Sequence, residues 1–147
     1  MKLKAFIISL TLLALPACQS DKTTEQQDVQ SLDSEDLTRL ANEHRSATAK
    51  GERSSSDTFI PPGTPVAMTG VCLIARDVPV FGIDLPNQPA HDQEDWPEGF
   101  RAHLEDNPEV SKMKKGQRYL VEGRIKGDET MCYNAYFIAV DSFTPID

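Results

Sequence analysis

From Gln19 to Asp57 the chain contains no aromatic residue and few aliphatic ones. Its Ser, Thr, Gln, Asp and Glu side chains bury too little apolar surface to offset the entropy of ordering them. Folding is thereby confined to the C-terminal part, and three segments follow: an apolar leader over residues 1–17, a polar flexible tether over 18–57 and one domain over 58–147. Within the tether, Asp33 can cap a short helix with acids in its first turn and Leu37, Leu40 and His44 along one side. That stripe is narrow, which predicts a fraying helix rather than a docked one.

The leader carries Lys2 and Lys4, then an apolar run from Ala5 to Leu15 interrupted by Ser9 and Thr11. This is the charged and hydrophobic pattern of a secretory signal. The run is shorter than the roughly 20 apolar residues that span a bilayer. It ends in Leu15-Pro16-Ala17-Cys18, which resembles the lipobox of bacterial lipoproteins. The resemblance implies cleavage before Cys18, a diacylglycerol on its thiol and acylation of the new amino group. Several acyl chains anchor stably where one is marginal, at about 0.8 kcal/mol per buried methylene. Gln19 rather than an aspartate follows the cysteine, and in enterobacterial lipoproteins this implies transfer to the outer membrane, facing the periplasm.

In the domain, Val66 to Ile74 is a β-branched, alternating run that predicts a strand with Val66, Met68, Cys72 and Ile74 on one face. Val78 to Leu85 predicts a second, with Pro79 at its start or on an edge. Asp95-Trp96-Pro97-Glu98 reads as a capping box with proline in the first turn. Trp96, Phe100 and Leu104 then predict a short helix with one apolar stripe. A further helical turn is expected from Asn107-Pro108 to Lys115, stopped by Gly116. Strands return at Arg118 to Ile125 and between Met131 and Phe143.

Two strands, an inserted helix and two or three strands make a mainly β domain. Its order resembles the OB-fold, a small barrel with a helix between its third and fourth strands. The stretch Lys115-Gly116-Gln117-Arg118-Tyr119-Leu120-Val121-Glu122-Gly123-Arg124-Ile125 is similar to one found in many OB-fold proteins, and Gly123 would let its strand bend at a barrel corner. A third strand before the helix is not evident, which leaves an open four-stranded sheet with one helix as the alternative.

With Cys18 taken by lipid, Cys72 and Cys132 remain as an even pair in an oxidising compartment, and a disulfide is expected. Closing so long a loop would contribute about 3–4 kcal/mol on the chain-entropy model. A metal pair or a redox couple are the alternatives, although the spacing is unlike C-x-x-C.

The formal net charge of −8 repels phosphate backbones, so nucleic acid is not expected as a partner, whatever the OB-fold resemblance suggests. His91, Asp92 and Glu94 are the candidate metal donors, weighed against a solvated acidic loop in which Asp95 caps a helix. They lack calcium-loop spacing and paired histidines, and no cofactor is expected. The chain has three histidines and no G-x-S-x-G elbow, so no catalytic residue is assigned. Tyr133, Tyr136 and Phe137 are the candidate binding residues, because tyrosine-rich patches make good contacts. The expectation is a lipid-anchored, non-enzymatic envelope protein that binds a protein or envelope component, in one version an immunity or inhibitor lipoprotein against a basic target. A periplasmic small-ligand or metal-ion binder and a small envelope hydrolase are the alternatives.

Overall fold

The computed structural model describes residues 30–53, 60–91, 96–97, 99–126 and 135–147. The cleavage site, Cys18 and the tether up to residue 29 lie outside them. Among the described residues one helix, α1 (Ser34–Ala49), precedes five strands: β1 (Pro65–Ile74), β2 (Val80–Ile83), β3 (Arg101–Glu105), β4 (Arg118–Ile125) and β5 (Ala135–Ile146). The protein is mainly β, and the strands close into a barrel in the order β1-β2-β3-β5-β4. Every pairing is antiparallel except β3 with β5, which run parallel.

The third strand lies where a helix was expected. Arg101–Glu105 is extended, with Ala102 and Leu104 buried and Arg101, His103 and Glu105 half-buried on the other face. A four-residue spacing fits a strand as well as a helix, because four is a multiple of the strand period of two. Ala102, falling midway between Phe100 and Leu104, decides for the strand. The proposed cap residues Asp95 and Glu98 lie outside the described residues. The inserted helical element is instead a short 3₁₀ turn, Pro108–Lys112, between β3 and β4. Asn107 caps it by accepting from the Glu109 amide at 3.0 Å.

Alternation sets the core. Cys72, Phe81, Ala102 and Tyr136 are successive cross-strand partners on β1, β2, β3 and β5, and all are fully buried inside the ring. Gly70 lets β1 and β2 approach closely, since a Cβ there would lie 1.9 Å from the Gly82 carbonyl oxygen. Gly123 sits at a register shift in the β4–β5 ladder, the bend expected of a glycine at that position.

A second correction concerns the segment read as a fraying tether helix. Asp33 and Asp36 form a reciprocal capping box at the start of α1, and Arg39 bridges Asp36 and Glu43 on its exposed side. Leu37 and Ala41 are buried in the barrel core, and Leu40 packs against it. The Tyr136 hydroxyl, inside the ring, donates to the Leu37 carbonyl at 2.6 Å. Ser34 Oγ donates to the Thr69 carbonyl at 3.1 Å and accepts from the Thr69 amide at 2.8 Å. Just before α1, Leu32 lies alongside β1: its amide donates to Pro65 and its carbonyl accepts from Ala67, at 2.9 and 2.8 Å. Leu37, Leu40 and His44 made too narrow a stripe by sequence; the docking is completed by polar contacts whose partners are far along the chain. Leu32 to Ala49 therefore belongs to the packed structure.

Candidate binding face

The outer surface of β2, β3 and β5 carries the candidate site. Its origin is an irregularity in β1: Cys72 pairs with Phe81, but the next pair is Ile74 with Val80, so one residue is gained on β1. A bulge of this kind turns the following side chain to the opposite face. Ile74 therefore leaves the face expected for it and points outward, 39% exposed, the one large apolar side chain so exposed among the described residues. From there the register runs Ile74–Val80, Val80–His103 and His103–Phe137. These four residues form one row across four strands, directly beside the interior row that contains Cys72; Val80 is buried within it, and Ile74, His103 and Phe137 reach the surface.

In that row the His103 and Phe137 rings stack at 4.9 Å between centroids and 15° between planes. Burial, and then the positive charge of Arg76, hold the His103 imidazole below its ordinary pKa; Glu105 opposes this and Arg101 adds to it. The ring is accordingly neutral at pH 7. Arg76 is exposed, with Nε donating to the Val78 carbonyl at 2.9 Å, and Arg101 Nε donates to the Trp96 carbonyl at 2.7 Å. An apolar–imidazole row flanked by two guanidinium groups thus stands on a chain with net charge −8. Below it, a groove of about 500 Å³ is lined by Asp77, Val78, Glu105, Asp106, Pro108 and Val110. Lys126 Nζ meets Glu105 at 2.8 Å and Asp106 at 2.9 Å beside this groove.

The loop after β2 supports the adjacent part of the barrel. Trp96 is buried over Gly82 and donates from Nε1 to the Ile83 carbonyl at 3.1 Å. Asp84 accepts from Arg118 at 2.5 Å, from Thr69 at 2.7 Å and from the Ala90 amide at 2.8 Å. Burial opposes ionisation of Asp84, but these donors together outweigh it and hold the carboxyl below the ordinary carboxylate range.

Of the residues singled out by sequence, Phe137 lies in the row. Tyr136 does not serve a binding surface: it is fully buried in the ring and its hydroxyl is spent on α1, with burial pushing its phenol pKa up. Alternation permits only one of two neighbouring aromatics to face outward, and it is Phe137. Tyr133 lies outside the described residues. His91 is exposed with its ring edge-on to Trp96 at 5.2 Å, and Asp92 and Glu94 lie outside the described residues. Among the described residues no group of three or more His, Cys, Asp and Glu side chains is placed to hold a metal ion.

Cys72 carries a free, fully buried thiol whose pKa is raised by burial. Cys132 lies outside the described residues, and the expected disulfide has no sulfur partner for Cys72 among them. Sequence reasoning missed His103 and Ile74. The alternation Arg101-Ala102-His103-Leu104-Glu105 was the available signal for the first; the bulge that exposes Ile74 leaves no mark in the sequence.

Among the described residues no helix is long and apolar enough to cross a membrane. Comparison with protein-family models and with curated proteins finds no match to the chain.

Proposed function

We propose that this chain is a lipid-anchored envelope protein, held by Cys18, whose OB-like barrel is a non-enzymatic binding module for a protein partner. The observation that carries the reading is the row Ile74–Val80–His103–Phe137 with Arg76 and Arg101 beside it. Aromatic rings and arginines are enriched where proteins bind one another, and apolar residues ringed by polar ones are the form of an interface centre. Arg76, exposed beside the row, gives an apolar docking segment of the partner a cation to meet with a flanking carboxylate.

Photocrosslinking in living cells tests this. A photoreactive residue at Ile74 should capture one protein, and the same residue at Ser142, exposed on β5 beyond the row, should not. Arg76→Glu and Phe137→Ala should each lower the yield at Ile74. Equal capture from both positions would refute the face. Turnover of an envelope substrate by the purified chain, abolished by substituting one carboxylate, would refute the non-enzymatic reading.

The groove lined by Asp77, Glu105 and Asp106 favours a second reading, an inhibitor of a basic target. Under it Asp77→Lys, rather than Arg76→Glu, abolishes capture.

A further inference from the structure

We infer that α1 is a clasp that keeps the barrel, and with it the Ile74–Phe137 face, close to the membrane carrying the anchor, so that the partner is one presented near that surface. This rests on the proposed attachment at Cys18. Without the clasp, the path from the anchor to the barrel would run from Cys18 to Ile60, which is buried in the core just before β1. That length of chain permits up to roughly 140 Å of separation. With the clasp in place the barrel holds the chain at Leu32, whose amide and carbonyl bond to Pro65 and Ala67. About 13 residues then remain between anchor and barrel, and whatever their conformation they span no more than about 45 Å. Ile74 lies eight residues along β1 from Val66, the bridge partner of Leu32, which is about 25 Å of strand. The face therefore stands within about 70 Å of the anchor.

The attachment is built from several elements at once. Leu37 and Ala41 are buried in the core, Tyr136 donates to the Leu37 carbonyl from inside the ring, and Ser34 exchanges two hydrogen bonds with the backbone of Thr69. Further along the helix His44 is buried and the Arg45 guanidinium lies over the Phe100 ring at 5.3 Å. Opening all of these contacts lifts the ceiling on separation about threefold, from about 45 Å to about 140 Å.

The test uses the mature chain with Cys132→Ser, coupled through Cys18 to a maleimide lipid in a supported bilayer; the buried Cys72 thiol is protected from the reagent. Neutron reflectometry reads the distance of the protein layer from the bilayer, and hydrogen exchange reads the docking of α1. Leu37→Asp with Ala41→Asp should release α1 and move the layer outward. A layer that stays in place although α1 has lost its protection would overturn the inference. A second variant covers the case in which the first disturbs the barrel. Ser34→Cys with Thr69→Cys, oxidised before coupling, locks the clasp and should leave the layer at the parent distance; movement toward the bilayer would mean that the parent clasp is open, and would overturn the inference. The mass of the N-terminal peptide from cell-derived protein tests the anchor separately: an unmodified Cys18 removes the attachment reading, while the reflectometry result still decides whether α1 is closed.

Discussion

Replacing Gly70 by alanine should be among the most damaging small substitutions in the barrel, and the structure sets its scale. The new methyl would lie 1.9 Å from the Gly82 carbonyl oxygen and 2.7 Å from the Phe81 ring. The oxygen is backbone, and ordinary contact requires the two strands to separate by more than an ångström. β2 has only four residues and its ladder with β1 pairs Gly70, Val71 and Cys72 with Ile83, Gly82 and Phe81. Losing about two ladder bonds at about 1 kcal/mol each, with about 1–3 kcal/mol of overpacking, predicts a destabilisation of roughly 3–5 kcal/mol. Gly82→Ala is the control. The nearest atoms to its methyl are side-chain atoms of Trp96 and Leu73, at 3.1 to 3.3 Å, which need give by only a few tenths of an ångström, at the low end of the overpacking range, about 1 kcal/mol. Urea unfolding of the soluble mature chain, followed by the fluorescence of its single tryptophan, measures both. Equal midpoints for Gly70→Ala and the parent, or a larger loss for Gly82→Ala, would refute the close approach of β1 and β2.

Three further outcomes are expected. The pKa of His103 is lower in the folded chain than its ordinary 6.5, so its contribution to stability is present above pH 6.5 and is lost as pH falls through the folded value; His103→Gln should flatten the melting temperature against pH over that window, and an unchanged slope would remove the claim. Asp84→Asn weakens the donor set of Arg118, Thr69 and Ala90 and should cost about 1–3 kcal/mol by thermal unfolding, with less loss of stability in acid than the parent shows below its ordinary carboxyl pKa of 3.8. In a chain with Cys18→Ser and Cys132→Ser, Cys72 should react with Ellman's reagent only on unfolding, and prompt reaction under native conditions would place it outside the core.

The ring was readable in parts. β1, β2 and β4 follow directly from alternation: Tyr119, Val121 and Ile125 are buried between less buried Arg118, Glu122 and Arg124. β3 was misread because Trp96, Phe100 and Leu104 satisfy two periods at once. Only pairing with β2 and β5, which brings Phe81 and Tyr136 to either side of Ala102, settles the choice. The docking of α1 could not be read locally, because Tyr136 lies far beyond Leu37 in the chain and no local pattern announces a hydroxyl reaching into the helix. For the candidate face, Phe137 was among the three expected binding residues, and its strand partners were not expected. Ile74 belonged to the inner face by simple alternation, and one extra residue in β1 reversed it.

The closure of the barrel has a consequence for how this molecule can be recognised. Proteins that expose the edge of a sheet can be bound, or misassembled, by a foreign strand that reads backbone amides and carbonyls. Here the ring pairs each strand with two neighbours. Where β1 runs past the end of β2, Leu32 and Ser34 occupy its backbone groups at Pro65, Ala67 and Thr69. Where β5 runs past its pairing with β3 at Ala139, it carries Asp141 and Pro145, a charge and a residue without an amide hydrogen, both unfavourable to strand addition. Recognition of this barrel is thereby transferred from the main chain, which is common to all sequences, to side chains, which are not. If the proposed row is where a partner docks, single substitutions there would change specificity while the fold beneath stays the same.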